Sequence, residues 1–147
     1  RARGAAARET FLANLAHACA AAGARTILIE PLNRHDAPGY FLRTTDQARA
    51  LIEAVGAANL RLMFDCYHVG RTEGDVVTRL RDLMPVIGHV QFASVPDRGP
   101  PDRGELNYHA IFAALRDLGW DRPIGAEYRP GGPTEQTLGW MDALAAG

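Results

Sequence analysis

Four polar residues of the sequence lie at or near the carboxyl ends of four separate apolar runs: Glu30, Asp65, Gln91 and Glu127. They are 35, 26 and 36 residues apart, which is about one strand and one helix each time. Because the carboxyl ends of parallel strands face the same way, we expect these side chains to converge on one site.

Three carboxylates that meet in an apolar environment repel one another unless a cation or a proton compensates their charge. Gln91 would add an amide oxygen to the carboxylates of Glu30, Asp65 and Glu127. Oxygen-only ligands favour Mg²⁺ or Mn²⁺ over Zn²⁺. Any one of these residues could instead cap a loop, but four in consecutive units favour a shared metal site.

The elements that must position these residues alternate along the chain. Thr44, followed by Gln47, and Asn107 are predicted helix N-caps, and Gly23 is a predicted left-handed helix end. The predicted helices are 5–22, 44–56, 73–84, 107–119 and 133–145, and the predicted strands are 25–29, 60–64, 86–93 and 124–128. This order predicts a parallel α/β sheet, either an open sheet or half of an eight-stranded barrel.

Composition excludes several classes of function. The chain has 147 residues, and its 16 basic residues are all Arg, so no lysine can form a Schiff base or bind phosphate in a P-loop. A net charge of −1 predicts no nucleic-acid partner and no anionic membrane surface. Cys19 and Cys66 lack CxxC spacing, and no apolar run of the sequence is long enough to span a membrane. Together these two features predict a cytoplasmic protein.

Several segments together resemble one known family. They are IEPLN at 29–33, PGYFL at 38–42, FDCYH at 64–68, GHVQ at 88–91, VPDR at 95–98, GELNY at 104–108 and GAEY at 125–128. The chain from Ile27 onward resembles the hydroxypyruvate isomerase family, which belongs to the xylose isomerase-like (β/α)8 TIM barrels. Since a whole barrel takes about 250 residues, the resemblance predicts that residues 1–147 are the carboxyl-terminal half of one barrel domain.

The resemblance also implies a site and a reaction. The family's metal ligands match Glu30, Asp65, Gln91 and Glu127, and its proton donor and acceptor match Glu30 and Glu127. The implied reaction interconverts hydroxypyruvate and tartronate semialdehyde through an enediolate, with Mg²⁺ or Mn²⁺ as cofactor. The sequence does not decide which glutamate is the base.

Three further residues are candidates for substrate binding: His68, Arg98 and Glu105. His68 could hydrogen-bond a substrate oxygen, and the Arg98 guanidinium could bind the substrate carboxylate, a role for which the resemblance favours it over Arg103. Glu105 could instead be an acid at the start of a helix. Pro100 stands where the family loop has a glutamate, which puts any contact of that acid in doubt.

Three alternatives remain at this point. A related enzyme would isomerise the four-carbon 2-oxo-tetronate. An isolated half-barrel would have no turnover, and its open sheet edges would favour a homo-oligomer. An endonuclease IV-like zinc nuclease needs several histidine ligands and a basic face, and Gln91 together with the near-neutral charge disfavours it.

Overall fold

The computed structural model describes residues 2–145, and these alternate between strands and helices. The strands are β1 (Ile27–Ile29), β2 (Leu60–Asp65), β3 (Ile87–Phe92) and β4 (Ile124–Ala126). The α-helices are α1 (Ala2–Ala22), α2 (Thr45–Val55), α3 (Cys66–Thr72), α4 (Val76–Leu83), α5 (Tyr108–Asp117) and α6 (Trp140–Ala145), with 3₁₀ turns at Met84–Val86 and Thr134–Thr137. No helix within 2–145 is long and apolar enough to cross a membrane.

The four strands form one parallel sheet in the order β1-β2-β3-β4, which confirms the predicted parallel α/β arrangement. Asp65 at the end of β2 is the register partner of Gln91 in β3, and Gln91 is the partner of Gly125 in β4. The register therefore brings the polar carboxyl ends of these strands to one edge of the sheet.

The sheet packs one face into the hydrophobic core. Leu60, Leu62 and Phe64 in β2 and Val90 in β3 are almost fully buried. The intervening positions Arg61 and Met63 of β2 are only part-buried. This two-residue alternation assigns one face of β2 to the core and the other to the face that ends in Asp65.

Helix caps were partly predictable. Thr44 caps α2 by accepting a hydrogen bond from the Gln47 backbone N–H, and Asn107 caps α5 in the same way, as predicted. The Gln47 side chain accepts from the Arg43 N–H rather than from the Thr44 N–H, so the capping box is displaced by one residue. Gly23 has the predicted positive φ of 59°.

The predicted helix 73–84 was wrong at its start. The chain instead forms α3 directly after Asp65, because the Asp65 carboxylate accepts the Tyr67 N–H and acts as N-cap. Gly74 and Asp75, with φ of 73° and 45°, then separate α3 from α4. The predicted helix 133–145 is likewise divided, into a 3₁₀ turn and α6.

Leu80 tests the core under the sheet because it is fully buried on α4. We expect Leu80→Ala to lower the free energy of unfolding by about 2–5 kcal/mol, since the deletion leaves a cavity. Leu138 is 39% exposed, so Leu138→Ala should stay within about 0.5 kcal/mol. Urea denaturation followed by circular dichroism measures both, and equal losses would contradict the assigned core.

Candidate functional site

Four residues form what we call the strand-end cluster: Glu30, Asp65, Gln91 and Glu127. Glu30 follows β1 directly, Asp65 ends β2, Gln91 lies in β3 and Glu127 follows β4 directly. The hydrogen bond from the Glu127 N–H to the Phe92 carbonyl, 3.0 Å long, continues the β3–β4 pairing as far as Glu127. Each member is thus placed by a strand end.

Three oxygens of the strand-end cluster are buried without a hydrogen-bond partner among the described residues. They are Glu30 Oε1, Asp65 Oδ2 and Gln91 Oε1. Buried acceptors without a partner are costly, so they indicate a missing donor or cation. All three are hard oxygen ligands of the kind that suits Mg²⁺ or Mn²⁺.

The electrostatics of the strand-end cluster also call for a positive charge. Burial, followed by repulsion from Asp65 and Glu127, raises the pKa of Glu30 from 4.5 to about 7. Burial raises the pKa of Asp65 from 3.8 to about 6, and Arg98 partly opposes this rise. A cation between these groups would favour their ionised forms.

Arg98 supplies one positive charge to the strand-end cluster. Its Nη2 lies 2.7 Å from Glu127 Oε2 and 3.9 Å from Asp65 Oδ2. Its guanidinium carbon lies 5.1 Å from the centre of the Tyr67 ring. Arg103, the alternative weighed from sequence, pairs instead with Asp97 at 3.1 Å.

The loop 94–104 holds Arg98 with a left-handed backbone, at φ 56°. The Arg98 N–H donates to the Ser94 carbonyl at 2.9 Å, and the Arg129 N–H donates to the Arg98 carbonyl at 2.6 Å. Gly104 closes the loop with φ 90°, and a Cβ there would overlap the Val95 carbonyl oxygen. The loop conformation therefore depends on Gly104 having no side chain.

Gly104→Ala is expected to destabilise the protein more than Gly39→Ala. Both glycines have φ 90°, but a Cβ on Gly39 would meet no described atom within 4 Å. Gly39→Ala thus measures the backbone strain alone, while Gly104→Ala adds an overlap that we expect to cost about 1–3 kcal/mol more. Urea titrations of the two variants measure this difference. Equal destabilisation would show that Gly104 does not lie tightly against the Val95 carbonyl oxygen.

His68 lies on α3 and is almost fully buried beside the strand-end cluster. Its Nε2 is 3.8 Å from Glu30 Oε1 and 3.7 Å from Asp65 Oδ2. Burial, reinforced by Arg98, lowers the pKa of His68 from 6.5 to about 4. The ring is therefore neutral at physiological pH.

Glu30, Asp65 and His68 each offer a ligand atom, and these atoms lie within 4.8 Å of one another. With the unpartnered amide oxygen of Gln91, the residues at this edge of the sheet fit a divalent cation. The metal set predicted from sequence contains Gln91 and Glu127 in place of His68, and it stays a prediction.

The predicted site residues differ in where they lie. The strand-end cluster, His68 and Arg98 all occur at one edge of the sheet. Glu105 is exposed, its N–H donates to the Val95 carbonyl at 2.8 Å, and no described hydrogen bond or ion pair joins its side chain to the cluster. Its role in substrate binding stays a prediction.

Two contacts behind the site involve residues that the sequence did not single out. Asp36 accepts hydrogen bonds from the Tyr67 hydroxyl at 2.7 Å and from Asn33 Nδ2 at 3.1 Å. Asn33 contacts His68 across 35 positions of the chain. The PGYFL segment beside them gives no signal for such a network.

A comparison with known families decides the identity of the fold. A model of the xylose isomerase-like TIM barrel family matches residues 1–144. The chain belongs to this family. The predicted barrel fold class and the resemblance stated from sequence are thereby confirmed.

Relatives within the xylose isomerase-like TIM barrel family carry two names. A 2-oxo-tetronate isomerase of Cupriavidus necator is 51% identical over 136 residues, which cover 91% of this chain and 52% of the relative. A hydroxypyruvate isomerase of Escherichia coli is 41% identical over 116 residues, which cover 79% of this chain and 45% of the relative. The chain spans about half the length of these curated relatives.

Solved structures of this fold agree with the sheet described above. One named AP endonuclease, family 2, from Brucella melitensis has a TM-score of 0.90 at 38% identity, covering 95% of this chain and 55% of its own. A 3-keto-D-glucoside 4-epimerase from Escherichia coli has a TM-score of 0.85 at 24% identity, covering 95% of this chain and 54% of its own, and shows the fold alone.

Proposed function

We propose that the protein is a divalent-metal-dependent isomerase that interconverts hydroxypyruvate and tartronate semialdehyde. The observation that carries this proposal is the convergence of buried, unpartnered oxygens from Glu30, Asp65 and Gln91 at one edge of the sheet. Relatives that share 41–51% of its residues bear the names of isomerases of small oxo acids.

The chemistry needs two groups that exchange protons with adjacent carbons of the substrate. Glu30 lies at this site, where burial and repulsion from Asp65 and Glu127 raise its pKa to about 7 before a metal is bound, and a bound cation would favour the ionised form that can accept a proton. Glu127 follows β4, at the other end of the strand order from Glu30 after β1, and its side chain is 50% exposed. One glutamate removes a proton from the carbinol carbon, and the other delivers a proton to the former carbonyl carbon.

The two glutamates also belong to the strand-end cluster that would hold the metal. Glu30, Asp65, Gln91 and Glu127 would hold the ion. A bound Mg²⁺ or Mn²⁺ would supply a Lewis acid that makes the substrate C–H bond more acidic and stabilises negative charge on the substrate oxygens.

The substrate contacts follow from the two groups that flank the metal residues. Arg98 provides a guanidinium for the substrate carboxylate. This guanidinium lies beside Glu127 of the strand-end cluster and over the Tyr67 ring. His68 directs its Nε2 toward the same edge and can donate to a substrate oxygen. Both roles require the substrate to carry an acid group and a neighbouring carbonyl or hydroxyl.

A four-carbon substrate, 2-oxo-tetronate, is the second candidate. It is favoured by one observation, the higher identity of the Cupriavidus necator relative, 51% against 41% for the hydroxypyruvate isomerase. The two reactions share the same proton transfer, so the choice between them concerns the space and contacts around the substrate rather than the chemistry.

A coupled assay tests the proposal. Because the chain spans about half the length of its relatives, the assay uses the chain alone and the chain joined behind the amino-terminal half of the Cupriavidus necator relative. We expect turnover of hydroxypyruvate or 2-oxo-tetronate that EDTA abolishes and Mg²⁺ or Mn²⁺ restores. Turnover that survives thorough metal removal would exclude the metal role, and cleavage of an abasic-site oligonucleotide without isomerisation would favour a nuclease.

A further inference from the structure

The buried ring nitrogen of His68 faces two N–H donors from one residue. The Asn33 backbone N–H donates to His68 Nδ1 at 3.1 Å, and Asn33 Nδ2 lies 2.7 Å from the same atom. Asn33 is fully buried and His68 is 3% exposed, so water does not compete for these contacts. A nitrogen that faces two donors acts as an acceptor, and Nδ1 therefore carries no proton.

The orientation of the Asn33 amide is fixed by its own neighbours. Its Oδ1 accepts the backbone N–H groups of His35 at 3.0 Å and Asp36 at 2.9 Å. Its Nδ2 donates to Asp36 Oδ2, which also accepts the Tyr67 hydroxyl. Exchanging the amide oxygen and nitrogen would place an oxygen against Asp36 and a nitrogen against two donors, so Nδ2 must face His68.

We infer that Asn33 is a positioning residue, which holds His68 as the Nε2–H tautomer and so makes it a hydrogen-bond donor into the site rather than a metal ligand. The Nε2–H then points to the edge where Glu30 Oε1 and Asp65 Oδ2 lie 3.8 and 3.7 Å away. Its action on substrate and the choice of metal ligands rest on the proposed function, but the tautomer does not.

Ligation by His68 would conflict with these contacts. A metal bound at Nε2 needs the lone pair there and moves the ring proton to Nδ1. That proton would face the Asn33 N–H and Nδ2, and two buried hydrogen bonds would be lost together. The oxygens of the strand-end cluster can bind an ion without this loss, since three of them are buried and without a partner in the described chain.

Nitrogen-15 NMR of the histidine rings tests the tautomer directly. In the unsubstituted protein we expect a pyridine-like shift for His68 Nδ1 and a proton on Nε2, with the His68 signals assigned by their loss in His68→Gln. Asn33→Asp replaces the side-chain donor by an acceptor, so the His68 proton should move toward Nδ1. Asn33→Ala keeps the backbone donor and should give a smaller shift in the same direction.

The matched control is Asn59→Ala. Asn59 Nδ2 lies within hydrogen-bond distance of three backbone carbonyls at the opposite end of β2, those of Cys19, Gly23 and Arg25, and shares its two hydrogens among them. Its loss should lower the thermal midpoint without moving the His68 nitrogen signals. A proton on Nδ1 in the unsubstituted protein, or unchanged His68 signals in both Asn33 variants, would overturn the inference.

Titration calorimetry with Mg²⁺ alone tests the metal part. His68→Phe removes both ring nitrogens and should change Mg²⁺ affinity by less than about two-fold, whereas Asp65→Asn should weaken it by at least about ten-fold. His68→Gln is the second variant should His68→Phe not fold. Equal weakening by the His68 and Asp65 variants would overturn the inference.

The outcomes separate the two proposals. In the isomerase assay, Asn33→Asp should lower kcat/KM by about ten-fold or more while Mg²⁺ affinity is retained. If no isomerase activity is found but the tautomer and the Mg²⁺ affinities are as expected, the proposed function fails and the positioning role of Asn33 stands.

Discussion

Glu30→Gln and Glu127→Gln are each expected to lower isomerase kcat by about 10²–10⁴-fold, the usual contribution of a positioned proton-transfer group. Each substitution keeps the size of the side chain and one oxygen, but removes the ability to exchange a proton. Glu30 is the more buried of the two, with a side chain that is 25% exposed against 50% for Glu127. The coupled assay with saturating Mg²⁺ measures the loss.

Both glutamates are also proposed metal ligands, so loss of metal must be distinguished from loss of proton transfer. Mg²⁺ affinity of each variant is measured by calorimetry, and activity is compared at metal concentrations that saturate each. Glu53→Gln, on the exposed side of α2, is the matched control and should retain full turnover. Turnover within about two-fold of the original in either variant at saturating metal would exclude that glutamate as a proton-transfer group.

Exchange of substrate hydrogen with deuterated solvent can assign the base. The variant that lacks the base should lose exchange at the carbinol carbon of hydroxypyruvate. The variant that lacks the acid should retain exchange but form little product. The sequence left this choice open, and the structure offers different surroundings for the two, a mostly buried Glu30 and a half-exposed Glu127.

Convergence of the strand-end cluster was predictable because it follows from the backbone. Successive parallel strands separated by helices bring their carboxyl ends to one edge, and Asp65 does pair in register with Gln91. The spacing of about one strand and one helix carried this information without any knowledge of side-chain packing. For this reason, an apolar run that ends in an acidic residue was the sequence pattern that best indicated where the site lies.

The loop between β1 and α2 was not predictable in the same way. Its path decides that Asn33 meets His68, and the repeat of one strand and one helix places the strand ends but not the side chains of the loop residues that follow them. The start of α3 was also missed, because Asp65 was interpreted as a site residue and not as an N-cap as well. One Asp65 oxygen caps α3 while the other faces the site, so the same residue serves both.

Arg98 shows a further limit of sequence patterns. Its place in a charged loop suggested a contact with a substrate carboxylate, which stays a prediction, but nothing in the pattern indicated its ion pair with Glu127. The left-handed backbone at Arg98 and the close approach of Gly104 to Val95 set this geometry, and neither is encoded by a local propensity. Loop conformations of this kind arise from long-range hydrogen bonds such as Arg129 to Arg98.

The stability of the metal-free protein and its metal affinity should both depend on pH, and the sign of each change follows from the titrating groups. The folded protein holds protons on Glu30 up to a pKa of about 7 and on Asp65 up to about 6, against 4.5 and 3.8 as their ordinary values. These two groups therefore lower the free energy of unfolding of the metal-free protein as pH rises, Glu30 between about 4.5 and 7 and Asp65 between about 3.8 and 6. His68 acts oppositely, adding stability as pH rises from about 4 to 6.5.

Above pH 6.5 the change is dominated by Glu30, because the remaining contributions of His68 and Asp65 are smaller and opposite in sign to each other, so the metal-free protein should lose stability between pH 6.5 and 8. A divalent ion must displace the proton from Glu30, so Mg²⁺ affinity at pH 5.5 should be about 30-fold lower than at pH 8, with a further loss from Asp65. Thermal unfolding with Mg²⁺ in large excess should show a stabilisation of about 2.7 kcal/mol at a hundred times the dissociation constant, present at pH 8 and much reduced at pH 5.5. Glu30→Gln should remove most of the decline of the metal-free protein above pH 6.5, because the titration of the buried Glu30 carboxyl causes it, while Glu53→Gln on the exposed face of α2 should retain it. An Mg²⁺ affinity that does not change between pH 5.5 and 8 would contradict the buried, protonated state of Glu30.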